Sequence, residues 1–176
     1  MSQSTLPEVW LRGPLPNIPP LLQPVAHALL QAQEEINELM RDFPEDKLWG
    51  KPAGAASPGF HLQHIAGVLD RLFTYAKGEK LTSEQLQYLL VEGKPAGEIT
   101  LNILLERLNQ QIEKTVDELK QIEEDALTEP RFVGRKQLPS TVLGLIFHYA
   151  EHTMRHLGQL LVTVRVLATN ISDPGF

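Results

Sequence analysis

Three histidines spaced four residues apart, His148, His152 and His156, carry the clearest chemical signal in this chain, and Gln159 continues their row one turn later. An α-helix turns 100° per residue, so positions four apart lie on one stripe at intervals of about 6 Å. Two imidazoles at that spacing can aim a ring nitrogen each at one point between them, as metal binding by a helix requires. The plain alternative is that such histidines are packed or hydrated side chains.

The row needs a helix, and residues 140–169 are patterned as one. Leu143, Phe147, Ala150, Met154, Leu157, Leu161 and Val164 recur at spacings of four and three, an apolar stripe expected to face the core. Leu145, Tyr149, Leu160 and Leu167 lie within half a turn of the histidines on the other side. A helix apolar on two sides is usually buried on two sides. One face is therefore expected inside a bundle, and the other against a further element or a second subunit.

With 176 residues and no cysteine, the chain fits one domain, and any metal site must use His, Asp, Glu and water. No apolar run reaches membrane-spanning length and no signal peptide is visible, so no membrane partner is expected and the cytoplasm is the default location. The net charge of −6 without a basic cluster argues against nucleic-acid binding, which needs phosphate neutralisation.

Residues 1–20 hold five prolines and read as an extended arm, with Trp10 and Leu11 available to pin it. A first helix is predicted over 22–41, with His27 solvated and Glu34 and Glu35 flanking its seam. Ser57-Pro58 is a well-formed helix start for a second helix running to about residue 77 and stopped by Gly78. Here His61 lies nearer the centre of the apolar seam than His64, so periodicity favours His61 as the inward histidine. A short helix at 83–92 begins with a capping box formed by Thr82 and Gln85, and a third long helix spans 101–124. Residues 125–139 read as a loop; its Arg131, Arg135 and Lys136 would attract an anion if they stood at a site mouth, or be simply solvated. No strands are predicted. The domain is thus an all-α four-helix bundle over 21–170 with a short extra helix between the second and third long helices, and a tail at 171–176.

The segment Ser57-Pro58-Gly-Phe-His-Leu-Gln-His64, then Asp70-Arg71, and later His152-x-x-x-His156-x-Gly158-Gln159 together resemble the DinB-like superfamily, which includes the YfiT-type metal-dependent hydrolases and the bacillithiol- and mycothiol-dependent transferases. The resemblance implies up-down-down-up connectivity, frequent homodimers and a divalent ion, zinc or nickel foremost, held by three histidines from the second and fourth helices. Carried over by position, these are His64, His152 and His156, with His61 the fallback for the helix-two ligand and His61, His148 and Gln159 candidates to support them. It further implies a small-molecule substrate and a low-molecular-weight thiol co-substrate, with metal-activated water or thiolate as nucleophile, in detoxification or stress response. A non-catalytic metal-binding bundle is the alternative.

Overall fold

The computed structural model describes residues 6–169; the expected tail at 171–176 and the first five residues of the arm lie outside them. Five helices follow one another as α1 (Gln23–Met40), α2 (Pro58–Ala76), α3 (Ser83–Val91), α4 (Leu101–Leu119) and α5 (Val142–Thr169). Their starts are built by the residues that the sequence offers. Ser57 caps α2 by accepting from the Phe60 amide, Thr82 and Gln85 form the reciprocal box at α3, and Thr100 accepts from the Ile103 amide at α4. Each of these side-chain oxygens satisfies an amide that has no partner within its helix.

The four long helices form the bundle. Helices α1 and α2 each pack on both α4 and α5, so α1 and α2 face each other across the core instead of lying side by side. Leu29 and Ile36 of α1, Leu62 and Leu69 of α2, Leu108 and Ile112 of α4, and Leu160 of α5 are fully buried at its centre. No helix among the described residues is long and apolar enough to cross a membrane.

The structure departs from the predicted elements in three places. Residues 130–141 are not a loop but an antiparallel hairpin, β1 (Pro130–Val133) and β2 (Leu138–Thr141), with Phe132 opposite Pro139. Proline is tolerated because a two-stranded ribbon consists only of edges, where a missing N–H breaks no interior ladder. The turn uses Gly134 at φ +68°, a backbone region open to glycine at no steric cost. Next, the third long helix ends at Leu119 and gives way to a 3-10 segment at Glu124–Thr128. The arm, finally, contains two single 3-10 turns, and its anchors are buried Val9 and Ile18, whereas Trp10 and Leu11 are exposed. Arg12 fixes the arm to α1 through a two-pronged pair with Glu34 at 2.5 and 2.7 Å.

The most consequential difference concerns α5. Its buried face runs through Val142, Ile146, Tyr149, Thr153, Leu160 and Val164, roughly a quarter-turn from the predicted stripe. Leu143, Phe147 and Met154 of that stripe are exposed, Phe147 at 62%. The helix is apolar around more than half its circumference, so spacing alone offers two stripes, and the bundle buries the one holding Tyr149 and Leu160. The histidines therefore stand at the margin of the core and not opposite it.

Candidate metal centre

Four residues of α-helix advance 400°, so each histidine in the α5 row is turned 40° further toward the core than the one before. Exposure falls accordingly, from exposed His148 through half-buried His152 to buried His156. Helix α2 supplies the opposing side chains. His64 reaches His152, with Nε2 3.0 Å from Nε2, and His61 reaches His156, with Nδ1 2.9 Å from Nδ1. One ring nitrogen from each of His64, His152 and His156 lies within 4.8 Å of the other two.

The remaining nitrogens explain why this triplet suits a cation. The Nδ1 of His64 is 2.8 Å from Glu92 Oε2; a carboxylate there holds the imidazole proton on Nδ1 and turns the Nε2 lone pair toward the triplet. The His61 contact does the same for His156 when His156 Nδ1–H donates, leaving its Nε2 free. His152 Nδ1 is buried with no hydrogen-bond partner among the described residues. Ligand nitrogens about 2 Å from a tetrahedral ion lie about 3.3 Å from one another, a spacing inside the range that the triplet spans. His61, His152 and His156 are held in the neutral form. Burial first, then the charge of His64, pushes His61 down to about 4. Burial, then His64, His148 and Arg155, takes His152 to about 4, and burial, then His64, His152, His61 and Arg155, takes His156 to about 3. At neutral pH their lone pairs are available to a metal, so the residues fit a divalent ion.

Both readings of helix two find a place. His61 is the inward histidine, 2% exposed, and His64 is the one in the triplet. His148 bonds Glu151 through Nδ1 at 2.7 Å, and His148, Glu151 and His152 form a second close group of donors. Gln159 is exposed and makes no hydrogen bond to a histidine. Glu34 and Glu35 bond Arg12 and Gln31 on the arm side of α1 and take no part.

Glu92 and Arg71 were not singled out for a role by sequence reasoning. Glu92 is the C-cap of α3, and its Oε1 accepts from Arg71 Nη1 at 2.5 Å, with the two side chains 4% and 9% exposed. A carboxylate at a helix C-terminus opposes the helix dipole, and that mismatch was the available signal. Helix α3 is held over α2 by this pair, by Tyr88 Oη donating to the Gln63 carbonyl and by the Gly93 amide donating to Gln63 Oε1. Phe60 stacks on His64 at 5.0 Å between ring centres. Alongside the triplet, between α2, α3 and α5, lies a cavity of about 270 Å³ walled by His64, His148, His152, Val68, Leu72 and Leu89 among others.

Compared with known proteins, the chain matches the family model of the DinB superfamily over residues 28–160, a span that contains every histidine of the cluster. No curated protein matches it.

Proposed function

This chain belongs to the DinB superfamily, and from that membership together with the histidine cluster we propose a divalent-metal-dependent enzyme, a low-molecular-weight thiol S-transferase or a related hydrolase. The observation that carries the reading is the convergence of His64, His152 and His156 within 4.8 Å at the wall of a cavity. His64, His152 and His156 would hold the ion, zinc or nickel foremost. A divalent ion supplies a Lewis acid that makes a small thiol or a water a stronger nucleophile at neutral pH and polarises a substrate oxygen.

The chain's own residues do the rest. Glu92 keeps the His64 proton on Nδ1, and His61 supports His156 from the core side. Val68, Leu72, Leu81 and Leu89 give the cavity an apolar wall that accepts the carbon skeleton of an electrophile and excludes water. His148 lines the same cavity with Nδ1 held by Glu151, the arrangement of an oriented base; its Nε2 is the atom we assign to take the proton as the nucleophile reacts. We further propose a cytoplasmic setting, where small thiols are kept reduced, and a homodimer, supported by the exposed apolar edge of α5.

The test is metal analysis of protein purified without an affinity tag or chelator. Stoichiometric divalent metal is expected in the wild type and its loss in His152→Ala/His156→Ala. Metal that survives the double change overturns the ligand assignment. Metal that raises the melting temperature while a screen of thiols against electrophiles yields no turnover returns the site to a non-catalytic clamp between α2 and α5.

A further inference from the structure

The hairpin that replaces the predicted loop closes a second and larger cleft, about 660 Å³, against the turn between α2 and α3. Its charged lining is Lys80, Arg131 and Arg135 against Glu79 alone, an excess of cations in a chain whose net charge is −6. The cations are not equivalent. Arg131 is committed to structure: Nε donates to the Ala76 carbonyl at 2.7 Å, Nη1 to the Pro130 carbonyl and Nη2 to Glu129, tying the hairpin to the end of α2. Lys80 and Arg135 make no hydrogen bond or ion pair among the described residues. They stand on opposite lips, one on the turn after α2 and one at the hairpin tip, with Phe132 exposed beside them. Tyr75 and Leu81 line both this cleft and the cavity at the histidines, so the two hollows share a wall.

We propose that this cleft is an anion-binding subsite, in which Lys80 and Arg135 hold a carboxylate or phosphate of a small-molecule substrate whose reactive end lies across Tyr75 and Leu81 at the histidine triplet. An unpaired guanidinium is matched in shape to either anion, and a positive cleft raises the local concentration of a negatively charged ligand. The cleft has the unpaired cations and no histidine, and the cavity has the histidines and only Arg71, which is paired with Glu92; an anion beside a reactive end therefore calls on both. Three cations facing one acid are too few to track a nucleic-acid backbone. The placement of the reactive end rests on the metal reading above, whereas the subsite itself does not.

The experiment uses the full chain, metal-free and metal-loaded, titrated with glutarate, with inorganic phosphate and with the neutral diamide of glutarate, and followed by amide chemical shifts. Saturable binding of glutarate or phosphate is expected in both forms, with shifts clustered at residues 78–81 and 131–137, weakening with added salt. The diamide is expected to leave these amides unmoved. Lys80→Gln/Arg135→Gln should weaken the anion about tenfold while leaving metal affinity unchanged. Preference for glutarate over phosphate identifies a carboxylate-bearing substrate, and the reverse a phosphate ester. Failure of both anions to saturate, equal binding of the diamide, or an affinity indifferent to the double change overturns the subsite. Loss of anion binding only when the metal is removed also overturns it, since the ion would then be the anion's receptor. An absent metal with intact anion binding in the metal-free chain sinks the metal reading alone.

Discussion

Glu92 serves two partners with one carboxylate, accepting from Arg71 on one oxygen and meeting His64 Nδ1 with the other. Replacing it by Gln keeps the shape but removes the charge that fixes the His64 proton. Partners of metal-binding histidines typically contribute 10–100-fold in affinity, so Glu92→Gln is expected to weaken metal binding by roughly that factor in competition with a chelator. It also leaves the guanidinium of Arg71 buried without a counter-charge, which typically costs about 3–5 kcal/mol and is read as a lower melting temperature. The histidines themselves set a pH dependence. Free imidazoles titrate near 6.5, while His61 and His152 are held at about 4 and His156 at about 3. Above about 6.5 both folded and unfolded forms are neutral and stability is undiminished. As pH falls below that value the unfolded chain takes up protons that the folded one refuses, so the metal-free protein is expected to lose stability between about 6.5 and 3. Thermal melts across that range check the sign.

Among the elements, α3 is the one whose place depends least on apolar packing, since none of its residues is buried. It depends instead on close approach to α2 at Gly67. A Cβ there would lie 2.3 Å from Glu92 Oε1, 2.5 Å from Arg71 Nη1 and 2.8 Å from Tyr88 Cε1. Two of these atoms belong to a buried ion pair and cannot swing away freely. Gly67→Ala is therefore expected to displace α3, lowering the melting temperature and, through Glu92, the metal affinity, even though alanine is the better helix former. The helices themselves were legible in the sequence because caps and periodicity agree with the fold, as at Ser57 and Thr82. Which face of α5 is buried was not, because two apolar stripes compete around one helix and only packing decides between Phe147 and Tyr149. The hairpin escaped notice because Pro130 and Pro139 signal breaks equally well in loops and at ribbon edges. Of the site, the α5 row could be read from spacing, whereas Glu92 comes from a different element and reaches His64 only through the fold.

Taken as a whole, the molecule leaves Leu143, Phe147 and Met154 of α5 exposed along a line, flanking the buried face of that helix. If a second copy seats there, as proposed, the native chain is expected to sediment as a dimer, and Phe147→Glu to convert it to a monomer of unchanged metal content. A wild-type chain that sediments as a monomer would remove the homodimer from the proposal and leave the metal centre untouched.

His64 and His152 touch although 88 positions separate them along the chain. Contacts of such long range form only after a large loop has closed, late in the search for the native arrangement. A cation thus finds at most the local His152–His156 pair in the nascent chain, too little to draw α2 to α5 and hasten its collapse. Its influence falls on the reverse passage, where it slows escape from the finished structure, so the ion would act as a latch on departure rather than a guide to arrival.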